Sequence, residues 1–455
     1  MTDARRSATV VTLLLAAGGL LGLGAADPLW TPLIIAGMLG IFVLMMVNTD
    51  AAIVLLILSM LLSPEMSAGA VPSRQVVLRF DDIILATVLF SWLAKTALRQ
   101  ELGLLRWTEL HGPLLLLTAW FLVATALGIV NGEVRAPKES LFYLLKYFEY
   151  FVVFFLGVNV IRERRQVDLF WRALACTALV VGLYGWWQHH AGAARVSAPF
   201  EGEHGEPNTL AGYLVLLMGV MLGRAACAAT MRRFLFGLLP ALFLFMPLMN
   251  TLSRGGYLAF LTMYAALIAL SPRRRAWLIV PAIVIAVTGV TIFPQTVIER
   301  VMSTFVERSP YGTVGEQMGL DLSAAQRIDV WFWTFDLLKK HPLVGYGITG
   351  AGLMDHQYCL VLGETGLIGG GLYLWTRWLI LRSSWRAYRQ VQEPEYRGLI
   401  LGYICAFIGL LVHSLAGNIF IIVRIMEPFW FLTALVLMLP RVLADAPAPQ
   451  PASAT

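Results

Sequence analysis

Fourteen apolar runs divide this chain, at about 9–26, 29–48, 51–63, 83–98, 113–130, 140–161, 167–190, 208–229, 233–250, 256–270, 276–294, 357–381, 399–418 and 420–440. A helix crosses the hydrocarbon of a bilayer with roughly 20 apolar residues, because lipid offers no partner to an unpaired backbone group. The third and tenth runs are short by that measure, so the pattern predicts an all-α polytopic membrane protein with 12–14 transmembrane helices. Composition agrees: 58% of residues are hydrophobic, 14% are charged, and the mean hydropathy is +0.73. The net charge of +6 is no nucleic-acid footprint. Lys and Arg stand in short clusters between apolar runs, where they set membrane topology. Cys176, Cys227, Cys359 and Cys405 are widely spaced and form no CxxC, so neither a metal site nor a disulfide framework is expected. The first run follows Arg5 and Arg6 and reads as an uncleaved span rather than a signal peptide, given the many spans behind it.

Every second connection is basic from the fourth run onward. Lys95, Arg99 and Arg106 come first, then Arg162, Arg164 and Arg165, then Arg224, Arg232 and Arg233, then Arg273, Arg274 and Arg275, then Arg382, Arg386, Arg389 and Arg397. Positive residues stay on the cytoplasmic side, so both termini are expected there. The connections 64–82, 131–139, 191–207, 251–255 and 295–356 then face outward. Four segments follow: a bundle of about eleven spans over 1–294, an external loop over 295–356, three spans over 357–441, and a tail over 442–455. The tail, ending APAPQPASAT, is expected to be disordered. No internal repeat of the transporter kind stands out.

The loop is the least apolar part of the second half. Ile328, Trp331, Phe332, Phe335 and Leu338 recur at helical spacing, opposite Arg327, Asp329, Asp336, Lys339 and Lys340. An amphipathic helix over 323–340 follows, with Ser323 and Gln326 as a capping box and Pro342 as its stop. Such a helix lies at the interface, its aromatic edge among the headgroups.

Polar residues near the apolar runs need a reason, because charge in a membrane is costly. Lys146 and Glu149 stand at i, i+3 and can pair with each other. Asp81 and Asp82, after Arg79, suit the first turn of a helix. The turn bearing Glu201, Glu203, His204 and Glu206 has no standard metal-ligand spacing. In NTLSRGGY, Arg254 stands in a tight outer connection beside Gly255 and Gly256. A guanidinium fits two phosphate oxygens, and Arg327, expected in the first turn of the loop helix, adds a second one on the same side. Asp355 and His356 are competent general bases. Asn208, Tyr358, Glu364 and Arg424 are candidates to line the cavity between these groups.

Taken in order, PNTLAGYL at 207–214, SRGG at 253–256, R-x-x-x-W at 327–331, HPLVGYG at 341–347 and YCLVLGETGLIG at 358–369 resemble the O-antigen ligase/polymerase superfamily of bacterial membrane glycosyltransferases. The resemblance covers much of the second half; the N-terminal third matches only as membrane helices. It implies a GT-C-like bundle in the bacterial inner membrane, with its active site on the outer face. It implies a metal-independent, cofactor-free, inverting transfer of a glycan from undecaprenyl diphosphate to a saccharide or lipid A-core acceptor. Other polysaccharide assembly proteins would be partners besides membrane lipids. Arg254 and Arg327 match the arginines that hold the diphosphate. The loop usually ends in His-Asn, nine residues before the Glu of Glu-Thr-Gly; here that position is Asp355, with His356 in place of Asn. Either residue can be the base, and ligase and polymerase stay open. A transporter or flippase of lipid-linked saccharides needs the same bundle, but has less need of a large loop carrying acid and base groups. A scaffold would tolerate loss of both Asp355 and His356.

Overall fold

The computed structural model describes all residues except 1–29, 72–73, 100–104, 202–204, 273–274, 293–294, 306–311, 353 and 446–455. The first predicted span, most of the tail, Glu203 and His204 lie outside the described residues. The fold is helical, and the helices follow the apolar runs. In chain order they are α1 (Trp30–Val47), α2 (Thr49–Leu62), α3 (Phe80–Leu98), α4 (His111–Val130), α5 (Pro137–Val160), α6 (Arg164–His190), α7 (Pro207–Cys227), α8 (Met231–Asn250), α9 (Arg254–Leu270) and α10 (Arg275–Ile292). The loop carries α11 (Gln295–Met302), α12 (Val314–Gln317) and α13 (Leu322–Lys340), and the chain continues with α14 (Gln357–Gln390), α15 (Pro394–His413) and α16 (Val423–Ala444). The short loop helices α11 and α12 were not foreseen, nor was an antiparallel hairpin, β1 (Glu65–Val71) and β2 (Arg74–Arg79), between α2 and α3.

Seven of these helices, α4 to α8, α15 and α16, are long and apolar enough to cross a membrane, and three shorter apolar helices accompany them. The protein is an all-α polytopic membrane protein in its architecture. Burial sorts its helices into two shells. In α7, 94% of the apolar window is buried, against 39% in α4. Helices α7, α15 and α16 form the core. The outer helices keep Leu115, Leu122, Leu145, Leu183, Phe236 and Leu261 exposed, as lipid-facing side chains should be.

Helices attract each other weakly through lipid, so their contact depends on backbone closeness. Helix α7 meets α15 at Gly223 and Gly402, where a Cβ on Gly223 would lie 2.3 Å from the Gly402 Cα. This crossing lies toward the end of α7 that carries Arg224, away from the outer connections. Arg377 is buried in α14, its guanidinium over the rings of Tyr373 and Phe420 at 4.0 and 4.7 Å.

A second backbone device sits at Gly366. The long helix α14 is interrupted there, with φ +65° and ψ −168°. That region is open only to glycine. The break turns backbone groups outward, and the segment 342–347 takes them up. Leu367 N–H donates to Pro342 O (2.8 Å), Tyr346 N–H to Gly363 O (3.0 Å) and Gly347 N–H to Glu364 O (2.8 Å). The HPLVGYG and ETGLIG motifs are thus one docked unit. Gly366 is a break in the helix.

Candidate functional site

The site forms where α9 and α13 begin. Ser253 caps α9: its Oγ accepts from Gly256 N–H at 3.1 Å and donates to Asn208 Oδ1 at 2.7 Å. Arg254, the first residue of α9, is thereby held at the helix mouth. Its Nη1 donates to Asp321 Oδ2 at 2.8 Å and to Thr304 Oγ1 at 2.9 Å. Asp321 is also the N-cap of α13, accepting from Ala324 N–H at 3.0 Å. One carboxylate therefore pins together the two helices that bear the expected arginines.

This corrects two expectations. The cap of the loop helix is Asp321, not Ser323 with Gln326, because a carboxylate caps the helix and pairs with Arg254 at once. Ser323 instead accepts from Arg327 Nη1 at 3.1 Å. Helix α13 begins at Leu322, so Arg327 stands in its second turn and the helix's free N-terminal amides serve Asp321.

Arg327 Nη2 lies 3.6 Å from Asp355 Oδ2. Burial pushes the Arg327 guanidinium down in pKa; Asp355 opposes this, and Arg254 and Arg300 add to it. Burial likewise lowers Arg195, with Arg300 and Arg254 contributing. Asp321, despite its burial, is held below the usual carboxylate range by the Arg254 hydrogen bond and the Ala324 amide. Four guanidinium groups, from Arg195, Arg254, Arg300 and Arg327, thus act on one another, with Asp321 and Asp355 as the carboxylates among them. Four positive charges against two negative ones leave an excess of two. Arg254 Nη2, Arg300 Nε and Arg327 Nε are buried without a hydrogen-bond partner among the described residues.

Sequence reasoning missed Arg195 and Arg300. Arg195 ties Thr251 O at 2.9 Å and Leu252 O at 3.4 Å, bridging the 191–206 connection to the end of α8. Neither arginine sits in a motif, although Arg300 lies in the short amphipathic helix α11; the signal available was that both fall in outward connections. His413 was missed as well. It ends α15, is buried, and lies so close to Gly255 that a Cβ there would come within 2.9 Å of its ring.

Asp355 and His356 are adjacent in sequence but differently placed. Asp355 has a 69% exposed side chain. His356 is 2% exposed, and its Nε2 accepts from the Trp331 indole N–H at 3.1 Å. Burial first, and Arg327 in addition, push its pKa down to about 4, against its own backbone hydrogen bond. With Nε2 accepting, the neutral ring carries its proton on Nδ1; it stands at the start of α14 and supports Trp331.

Among the cavity candidates, Asn208 holds Ser253, and Tyr358 Oη donates to Leu411 O at 2.7 Å. Glu364 is buried and accepts from Thr349 N–H at 2.8 Å. Arg424 is 2% exposed and donates to Leu61 O, Pro199 O and Phe200 O, with Glu201 3.8 Å from its Nε. Glu364 and Arg424 are bound into the framework around the site instead of opening onto a cavity. The carbonyls of Leu61, Pro199 and Phe200 take up the Arg424 donors.

The fold and site define a helical membrane protein with a surplus of guanidinium groups at one end of its bundle. Residues 239–374, from α8 to the kinked part of α14, match the family model described as O-antigen ligase. That stretch contains Arg254, Arg300, Arg327, Asp355 and His356, and over it the resemblance to the O-antigen ligase/polymerase superfamily is borne out. The match supports an O-antigen ligase or polymerase type of function. No curated protein matches the chain.

Proposed function

We propose that this protein is a glycosyltransferase of surface-polysaccharide assembly, moving a glycan from undecaprenyl diphosphate to an acceptor hydroxyl at the outer face of the bacterial inner membrane. The observation that carries this reading is the set of three buried guanidinium nitrogens without a partner, in a site whose charge excess is two. A diphosphate diester carries two negative charges, and guanidinium groups meet its oxygens with paired N–H donors.

In the mechanism, Arg254 and Arg327 hold the diphosphate and offset the charge that grows on it as the glycosidic bond to phosphate breaks. Asp355 takes the proton of the acceptor hydroxyl, which attacks the anomeric carbon from the opposite side and inverts it. Asp355 is favoured over His356 because its carboxylate is exposed, whereas the His356 lone pair at Nε2 already receives the Trp331 N–H. Charge stabilisation by arginines leaves no step that needs a metal. Helix α13 keeps Phe332, Trp333 and Phe335 exposed, an apolar edge suited to the headgroup region where a polyprenyl donor lies.

The test is complementation in a strain lacking its own copy, with Arg254→Ala and Arg327→Ala, and membrane levels of each variant measured alongside. Loss of surface glycan at normal protein level is expected for both. Normal polymer from both would end the assignment, and flipping of the donor without any product from purified protein would favour the transporter instead.

A further inference from the structure

A second charged cluster lies away from the arginine site, between α3, α5 and α16. Among the described residues it holds four carboxyl groups, Asp81, Asp82, Glu149 and Glu427, and two cations, Arg79 and Lys146. Arg79 Nη2 lies 2.6 Å from Asp81 Oδ2, and Lys146 Nζ lies 2.5 Å from Asp82 Oδ1 and 3.0 Å from Glu149 Oε2. Asp81 and Glu427 are fully buried. Ser63 Oγ donates to Asp81 Oδ1 at 3.0 Å, and Arg79 N–H to Asp82 Oδ2 at 3.1 Å.

The carboxyl groups also meet each other. Lys146 Nζ holds Asp82 and Glu149 against one another, at 2.5 and 3.0 Å, and Glu427 lies close enough to Asp81 for the charge of each to act on the other. Two carboxylates have no proton to place between them, and among the described residues neither oxygen of Glu427 receives a donor. Glu149 Oε1 is also without a hydrogen bond among the described residues. The phenols facing the cluster, from Tyr147 and Tyr150 on α5, bring no cation, and Tyr150 Oη donates to Ile421 O. Arg424, one turn before Glu427, spends its donors on the carbonyls of Leu61, Pro199 and Phe200.

Charge decides the state. With all four carboxyls ionised the cluster is two negative charges in excess, with Asp81 and Glu427 closed off from water and Asp82 and Glu149 only 14% and 11% exposed. Like charges in contact cannot both ionise. One proton in each carboxyl pair brings the cluster to neutrality against Arg79 and Lys146 and supplies the missing donor in both contacts. We propose that the bundle binds two protons here, one shared by Asp81 and Glu427 and one by Asp82 and Glu149, as a structural lock joining α3, α5 and α16. The proposal is independent of the glycosyl-transfer reading. It has a consequence for the site all the same, because α16 also carries Arg424, which holds the 199–201 connection.

Infrared spectroscopy of the purified full-length protein in lipid is the direct measurement. At neutral pH the expected spectrum contains the carbonyl stretch of two protonated carboxyl groups per chain, shifted in heavy water. Glu427→Gln, which keeps the shape of a neutral acid, is expected to remove one of the two and leave the neutral-pH melting temperature unchanged. Melting temperature of the wild type should fall as pH rises into the alkaline range, since losing either proton leaves a buried charge without a counterion. A wild-type spectrum with no protonated carboxyl at neutral pH would overturn the proposal even if the variant failed to fold. So would a melting temperature that rises with added sodium or potassium at constant ionic strength, which would make the occupant a metal cation.

Discussion

Asp355 and His356 show how far a single position in sequence stands from a role. Both are proton acceptors by type, and the one-residue offset from the usual family pattern left the choice open. Three dimensions separate them: Asp355 faces outward beside Arg327, whereas His356 is buried under Trp331. If Asp355 is the base, Asp355→Ala should cut turnover of a lipid-linked glycan by about 10² to 10⁴. His356→Asn should cost less than about tenfold, roughly the worth of one hydrogen bond. An equal loss in both variants would return the question to its starting point. The histidine has a stability signature of its own. Its pKa is depressed from 6.5 to about 4. A depressed group gives stability that is complete above the unfolded value and is lost as pH falls through the folded one. Wild-type protein should therefore lose stability relative to His356→Asn between pH 6.5 and about 4. The two arginines foreseen from sequence were legible because each stands next to a motif. Arg195 and Arg300 were not, because only the folding of two separate connections brings them to Arg254.

At the scale of elements, the periodicities were readable and the junctions were not. Apolar runs gave the helices, and the 3.6-residue repeat gave α13 to within a residue at its start. The cap escaped because Ser323–Gln326 fits a capping box as a pattern, whereas Asp321 is chosen by a partner, Arg254, that is distant in sequence. The hairpin escaped because its strands alternate weakly. The break at Gly366 is the junction with the most consequence, since it docks the 342–347 segment and through it the end of α13. A Cβ there would come within 2.4 Å of the Leu343 carbonyl, in a backbone conformation only glycine tolerates. Gly366→Ala is expected to cost about 1–3 kcal/mol of stability and to abolish polymer formation by shifting Arg327 away from Arg254. Gly371→Ala is the control: nothing lies within 4 Å of its Cβ position, and it should change stability by less than about 0.5 kcal/mol. Similar losses in the two variants would show that α14 needs flexibility in general and no docked break.

The whole molecule has two chemically different ends. At one, Arg164 pairs with Glu393 at 2.6 Å, Arg233 with Glu395 at 2.7 Å and Arg386 with Glu109 at 2.9 Å. These arginines come from the connections that the alternation of basic clusters assigned to the cytoplasm, and the fold gathers them although they are far apart in sequence. At the other end stand Arg254, Arg327 and Asp355, whose charges are turned on one another and on an unfilled set of donors instead of on the lipid surface. The expected orientation, with this second end outward, follows from the retention of Lys and Arg on the cytoplasmic side, and a membrane-impermeant thiol reagent tests it. Ala193, in a connection, and Gln390, the last residue of α14, are exposed at opposite ends of the bundle. Of the native cysteines, Cys227, Cys359 and Cys405 are buried, and Cys176 is exposed on α6 within an apolar run. Ala193→Cys should label in cells whose inner membrane is intact, and Gln390→Cys only after the membrane is permeabilised. The reverse result would put the guanidinium cluster in the cytosol, where an acceptor on the growing surface glycan cannot reach it, and the assignment of Asp355 and the arginines to glycan transfer would fall with it.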